Sequence, residues 1–258
     1  MKIKYHCSAC FSEAGSDPAH LLSLYKSTSV IEIDTWPFFE VECNQGHKQR
    51  FTIGLELYAL LFQQATYCIM DGYYREAIGT YNAALERFFE YAIEVIAMKQ
   101  YPQMNFEEFW KTVRNQSERQ LGIFYFVWSS YFNEKPILLQ NKKVELRNNV
   151  IHKGILATKN DAMEFGEYIF DYIKKVNKQI SENLGAELSI FESRRIYRVA
   201  KSDFDHAIEN PIEIKINGEI HCNGIGGMHM PYFLNSDNIA NYKDCFEPDN
   251  DLSYGLLK

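Results

Sequence analysis

The first part of the chain alternates between apolar and polar side chains over short segments, a pattern typical of extended chain. Apolar positions fall on one face in segments 31–34, 39–42 and 49–53. A polar loop through residues 15–18 and two clusters of cysteine or histidine interrupt this region. The pattern therefore predicts a small β module over residues 1–53.

Residues 54–185 change to helical periodicity. The clearest apolar stripe repeats every three or four residues through Ile78, Tyr81, Leu85, Phe88, Ala92 and Val95. A second stripe occupies residues 162–180 and follows a polar start at 159–161. Shorter apolar runs lie between them, at residues 55–70, 106–113, 121–132 and 144–156. Breaks at Gly72, Pro102 and Pro136 make an antiparallel helical bundle with short connections the simplest prediction.

Residues 186–258 have a weaker pattern and are predicted to form a C-terminal extension. A basic amphipathic helix is expected over residues 188–200. Alternating isoleucines that end at Ile216 precede Asn217-Gly218, which indicates a β-hairpin. A three-residue loop over 217–219 pairs Ile216 with Ile220, whereas a two-residue loop puts Ile220 on the opposite face; the side-chain pattern favours the longer loop. The predicted fold class is thus mainly α, with a small β module and this extension.

Composition and charge narrow the classes of function. Hydrophobic residues make up 46% of the chain and charged residues 24%, so it can bury enough apolar surface to fold. The formal charge of −7 argues against a protein that coats nucleic acid with a broad basic surface. Without a secretory signal or membrane span in the sequence, we expect a cytoplasmic protein that has no membrane partner. In that compartment its six cysteines are expected to be metal ligands or buried thiols.

Two short motifs have the spacing of a metal site. Cys7-Ser8-Ala9-Cys10 and Cys43-Asn44-Gln45-Gly46-His47 each offer two ligands that a tight turn can bring to one tetrahedral ion. The arrangement resembles a zinc ribbon over the first 50 residues or so, with His6 as the alternative to His47. Four protein ligands leave no position for water, so the zinc is expected to be structural. The predicted metal ligands are therefore Cys7, Cys10, Cys43 and His47.

A third motif lies in the helical region. Leu146-Arg147-Asn148-Asn149-Val150-Ile151-His152 resembles the Arg-Asn-x-x-x-His signature of the HEPN superfamily, some members of which are ribonucleases. The upstream segment 71–89 also looks like that family's early long helix. The resemblance covers residues 55–183 and implies a HEPN-like helical bundle.

The chemistry of these residue types suits RNA cleavage. His152 can exchange protons near neutral pH, and Arg147 can present a planar fork to phosphate oxygens. Asn148 lies four residues before His152, on the same helical face, where it can orient the imidazole or bind phosphate. Lys143 and Lys153, together with Lys142, would supply a local basic rim for RNA.

The HEPN resemblance also implies a homodimer in which two copies of the motif meet across a two-fold axis. Cleavage would then need no catalytic metal and would leave a 2′,3′-cyclic phosphate and a 5′-hydroxyl. The expected setting is a toxin or antiviral defence system, in which a protein partner neutralises or activates the nuclease. The alternative is a non-catalytic adaptor, whose zinc ribbon and helical domain bind RNA, nucleotide or a protein partner.

Overall fold

The fold is described from a computed structural model, which covers residues 2–5, 7–15, 18–19, 29–32, 38–53, 56–191, 213–216, 219–222 and 226–228. The chain divides into two compact units. One, here called the strand unit, combines Met1–Leu55 with the C-terminal strands, and the other, the helical unit, is built on Glu56–Ser193. The break between them lies close to the predicted boundary at residue 53.

The described residues of the strand unit include the short helix α1 and several short strands. In chain order these elements are β1 (Lys2–Tyr5), α1 (Ser8–Ala14), β2 (Ser29–Glu32), β3 (Phe38–Glu42), β4 (Lys48–Ile53), β5 (Glu213–Ile216), β6 (Glu219–Cys222) and β7 (Gly226–Met228). Strands β1 and β2 pair antiparallel, and β3 and β4 form a second antiparallel pair. β3 and β4 therefore cover two of the segments in which apolar and polar residues alternate.

The C-terminal strands belong to this unit. β7 pairs in parallel with β4, so that residues 51–53 lie opposite residues 226–228. β5 lies next to α1 and β4. The pairing of β4 with β7 therefore brings residues 51–53 and 226–228, which are far apart in the chain, into one unit.

The predicted register of the β5–β6 hairpin is wrong. Ile216 pairs with Glu219 and Lys215 with Ile220, so the connection consists of the two residues 217–218. Asn-Gly is the preferred sequence for a two-residue hairpin turn, because both positions tolerate positive φ. The turn chemistry therefore outweighs the preference for pairing isoleucine with isoleucine.

The helical unit confirms that the described chain is mainly helical. Its helices are α2 (Leu57–Met70), α3 (Tyr74–Gln100), α4 (Phe106–Lys111), α5 (Ser117–Phe132), α6 (Asn141–His152) and α7 (Lys159–Asn183). Residues 185–191 are also helical, and the remainder of the predicted helix over 188–200 lies outside the described residues. Each predicted apolar run between residues 55 and 180 thus corresponds to a helix.

α3 is the central element of the helical unit. It packs against α2, α5, α6 and α7, and its apolar stripe is buried. Aromatic side chains fill much of the interface: the ring centroids of Phe62 and Tyr81 are 4.8 Å apart, as are those of Phe89 and Phe124. Burial of such large side chains is the main term that stabilises a helical bundle of this size.

Candidate functional site

The four predicted metal ligands converge in the strand unit. The Sγ atoms of Cys7, Cys10 and Cys43 and a ring nitrogen of His47 all lie within 4.8 Å of one another. All four residues are buried, with 6 to 9% of their surface exposed. His6, the alternative ligand, lies outside the described residues. The arrangement can therefore hold a metal ion with three sulfurs and one nitrogen.

Two local structures position these ligands. Cys7 directly precedes α1 and Cys10 lies in its first turn. Cys43 and His47 bracket the turn between β3 and β4, which is closed by hydrogen bonds from the Gly46 amide to the Cys43 carbonyl (2.8 Å) and from the Cys43 amide to the His47 carbonyl (3.0 Å). Gly46 has a φ of 82°, a left-handed conformation that glycine adopts without steric cost. This glycine lets the chain reverse within five residues.

Four of the six distances between ligand atoms are close to those expected for a tetrahedral zinc site. With Zn–S near 2.3 Å and Zn–N near 2.0 Å, two sulfurs should be about 3.8 Å apart and a sulfur and a nitrogen about 3.5 Å apart. The Cys10 and Cys43 sulfurs are 3.7 Å apart. Nδ1 of His47 lies 3.6, 3.2 and 3.5 Å from the sulfurs of Cys7, Cys10 and Cys43. A disulfide, whose sulfurs bond at about 2.05 Å, is excluded for the 10–43 pair.

Because the cluster is buried, a cation would be needed there to stabilise the thiolate form of Cys7 and Cys10. Desolvation raises the pKa of the Cys7 and Cys10 thiols, so without a cation both remain protonated at neutral pH. A metal ion reverses this preference, because it binds the thiolate and releases the proton. The amide of Gln45 also donates to the Cys43 sulfur, at 3.3 Å.

One residue near the cluster was missed by sequence reasoning. Oε1 of Glu13, on α1, lies 3.3 Å from Nε2 of His47, on the far side of the ring from the three sulfurs. Glu13 follows Cys10 by three residues, so the two side chains share a face of α1. This spacing, Cys-x-x-Cys-x-x-Glu, could have indicated the contact once α1 was known to be a helix.

The Arg-Asn-x-x-x-His motif occupies the second half of α6. Arg147 and Asn148 are half-buried and His152, in the last turn, is exposed. Among the described residues, Arg147 and His152 have neither a hydrogen-bond nor an ion-pair partner for their side chains. The helix therefore presents a histidine and an arginine that are free to meet a ligand.

Three tyrosine hydroxyls fix the segment that leads into α6. The amides of Leu139 and Gln140 donate to the hydroxyls of Tyr125 on α5 and Tyr168 on α7, at 3.1 and 2.8 Å. The hydroxyl of Tyr172 donates to the Ile137 carbonyl at 2.8 Å. Burial raises the pKa of all three tyrosines, which keeps these hydroxyls protonated. The start of α6 is thus anchored to two neighbouring helices.

The predicted basic rim is only partly exposed. Nζ of Lys143 lies 3.3 Å from both Oε2 and the main-chain carbonyl of Glu164 on α7, and the side chain is mostly buried. Lys142 and Lys153 are exposed. Two of the three lysines around the motif therefore present their charge to solvent, and the third ties α6 to α7.

The aromatic run on α5 belongs mainly to the core. Phe124 and Trp128 are buried, whereas Phe126 is 66% exposed. Apolar side chains are also exposed on both sides of α6, at Leu138 before it and at Ile155 and Leu156 after it. Exposed apolar side chains thus occur at both ends of α6.

Within the described part of the chain, no helix combines the length and the apolar character that a membrane span requires. No family model, no curated protein and no solved structure matches this chain. The HEPN resemblance therefore rests on the residues of α6 and their helical setting.

Proposed function

We propose that this protein is an endoribonuclease that acts as a homodimer through Arg147, Asn148 and His152, without a catalytic metal. The observation that carries the proposal is the position of the motif: a histidine exposed in the last turn of a helix, with arginine and asparagine half-buried beside it. Solvent access lets an imidazole exchange protons with a substrate, which a sealed core position would prevent.

The proposed reaction is attack of the ribose 2′-hydroxyl on the adjacent phosphorus. One imidazole accepts the 2′-hydroxyl proton, the bond from phosphorus to the 5′-oxygen breaks, and a second imidazole gives a proton to that oxygen. The products are a 2′,3′-cyclic phosphate and a 5′-hydroxyl. Arg147 would hold the non-bridging oxygens, where charge develops in the transition state.

Two imidazoles in opposite protonation states are supplied most simply by two protomers. Each protomer contributes one His152, and a two-fold axis brings the pair to one phosphate. The exposed Leu138, Ile155 and Leu156 flank α6 and would lose contact with water in such a dimer.

The first test uses purified protein, RNA and an excess of EDTA. We expect cleavage by the wild type and a loss of at least about 100-fold in rate for both H152A and R147A, the range typical of general acid–base and charge-stabilising groups. R75A is the control, because Arg75 is an exposed arginine outside the motif. Equal rates for H152A and the wild type would overturn the proposal.

The second test addresses the composite site. If both copies of His152 are needed, an equal mixture of wild type and H152A that has exchanged subunits should keep about one quarter of the wild-type activity; independent sites would keep about one half. Retention of one half would contradict a site shared between protomers.

We further propose that the Cys3His cluster holds structural zinc. Three thiolates and one imidazole are a common ligand set for structural zinc and leave no open coordination position. Metal analysis of protein purified without added metal should find about one zinc per chain, and none in the C10S variant.

The second candidate function is a non-catalytic adaptor that binds RNA, nucleotide or a protein partner. The metal-binding cluster favours it, because many small modules that are held together by a metal ion bind a partner. Binding of RNA by the wild type without cleavage would support the adaptor.

A toxin or antiviral role, with a neutralising or activating protein partner, is the biological setting that we propose for the nuclease.

A further inference from the structure

Glu13 lies beside the His47 ring, on the side away from the three cysteine sulfurs. Its Oε1 atom is 3.3 Å from Nε2 of His47, and Nδ1 of the same ring is the atom that faces the three sulfurs. The imidazole therefore lies between the sulfur cluster and a carboxylate. His47 is buried, whereas Glu13 is partly exposed.

The two ring nitrogens of a neutral histidine have opposite roles. If Nδ1 binds a metal ion, its lone pair points to the metal, and the proton must be on Nε2. A buried Nε2–H needs an acceptor, because an unsatisfied donor carries a desolvation cost. Glu13 is the carboxylate within reach of that proton. A carboxylate partner also increases the electron density that the imidazole gives to the metal.

We propose that Glu13 is a positioning residue for the metal centre: its carboxylate accepts the Nε2–H of His47 and selects the tautomer that binds metal through Nδ1. The inference rests on the proposed zinc site and is independent of RNA cleavage. α1 thereby has a double role, since Cys7 and Cys10 at its start supply ligands and Glu13 orients a third ligand from a different part of the chain. This contact also fixes α1 to the turn between β3 and β4.

The position of Glu13 on α1 makes this role specific. Cys10 and Glu13 are three residues apart, so both project from one face toward the 43–47 turn. Glu42, by contrast, precedes Cys43 directly, is exposed and pairs with Lys48 at 3.7 Å. The two carboxylates have the same charge, and each is within three residues of a cysteine ligand, but among the described residues only Glu13 lies against the histidine ring.

The test measures zinc affinity of the full-length chain by competition with a chromophoric chelator. E13A removes the acceptor, E13Q retains an oxygen acceptor, and E42A removes an equivalent charge elsewhere. We expect E13A to bind zinc about 10- to 100-fold more weakly, E13Q to recover most of that loss, and E42A to stay within about threefold of the wild type.

A second readout is the nitrogen and proton spectrum of the His47 ring in the zinc-loaded protein. We expect an observable Nε2–H resonance in the wild type and in E13Q, and faster exchange of that proton with solvent in E13A. A role of Glu13 in folding alone would not produce this difference in E13Q and E13A, which can be compared at equal zinc occupancy.

Several outcomes overturn the inference. E13A that binds zinc as tightly as E42A would show that the carboxylate does not support the ligand. Metal bound through Nε2 of His47 in the wild type would also contradict it. A wild-type protein that binds no zinc would overturn the zinc proposal itself, which is a different result from normal zinc binding by E13A.

Discussion

Thr158 and Asp161 cap the start of α7 by reciprocal hydrogen bonds. The Asp161 amide donates to the Thr158 hydroxyl oxygen at 3.1 Å, and the Thr158 amide donates to Oδ2 of Asp161 at 2.9 Å. The hydrogen bonds from the Thr158 hydroxyl and amide lower the pKa of Asp161 below its usual range. Because the folded-state pKa is lower than the unfolded one, the cap stabilises the protein above the unfolded pKa and loses its effect as pH falls through the folded pKa.

From this we predict that T158A lowers the free energy of unfolding by about 1 kcal/mol at neutral pH, the usual cost of losing an N-cap. D161N should also destabilise, and its difference from the wild type should shrink as pH falls below about 4. Urea unfolding at several pH values measures both effects. K159A is the control, since Lys159 is exposed and outside the reciprocal pair. A difference for D161N that does not depend on pH would contradict the prediction.

At the scale of single residues, the sequence predicts metal ligands better than it predicts their neighbours. Cys-x-x-Cys is a recognised spacing of metal ligands, so Cys7 and Cys10 could be identified directly. Glu13 and Lys143 could not, because charged residues are common on helices and their partners depend on packing. The pairing of Lys143 with Glu164 exists only because α6 lies against α7.

At the scale of elements, a glycine inside α5 and a glycine just after α6 have opposite roles. Gly122 lies inside α5, where an added β-carbon would meet no other heavy atom within 4 Å, and its φ is not positive. Gly154 lies two residues after His152, the last residue of α6, and has a φ of 69°. Left-handed backbone costs a residue with a β-carbon about 1–2 kcal/mol, whereas alanine inside a helix is favoured over glycine by about 0.5–1 kcal/mol.

We therefore predict that G122A raises the free energy of unfolding by about 0.5–1 kcal/mol and that G154A lowers it by about 1 kcal/mol. The two variants are matched, because neither added methyl group meets another atom within 4 Å. Thermal or urea unfolding measures both. A shift of the same sign in G122A and G154A would contradict the backbone argument. Only G154A should also affect the geometry around His152.

Most of the helices could be predicted from apolar periodicity, because α2, α5, α6 and α7 pack against α3 and burial is what that periodicity reports. Hairpin register depends on a different property. Side-chain matching favoured one pairing for residues 213–222, and the preference of Asn-Gly for a two-residue turn favoured another. Where two local preferences conflict, the sequence pattern alone does not tell which is stronger.

At the scale of the whole molecule, the pairing of β4 with β7 could not be predicted from sequence. Residues 51–53 and 226–228 are separated by residues 56–193 of the helical unit, and periodicity contains no information about such distant partners. Their pairing makes the strand unit discontinuous in sequence. Loss of the C-terminal strands should therefore affect the unit that contains the metal-binding cluster.

Removal of metal should act on one unit of the molecule. The four ligands all belong to the strand unit, whose described strands are short, whereas the helical unit has an extensive aromatic core of its own. A metal ion that binds only the folded state stabilises it by about 2.7 kcal/mol when its free concentration is 100 times Kd. Structural zinc sites often provide most of the stability of small modules.

We predict that a chelator separates unfolding into two transitions: the strand unit should unfold earlier, and the helical far-UV signal should keep its original midpoint. Addition of zinc should restore the first transition in the wild type but not in C10S, which lacks one of the four ligands. The C68S variant is the matched control, because Cys68 lies on α2 in the helical unit, outside the cluster. If chelation lowered the midpoints of both transitions equally, the two units would unfold as one cooperative unit. The metal-binding cluster would then stabilise the helices as well.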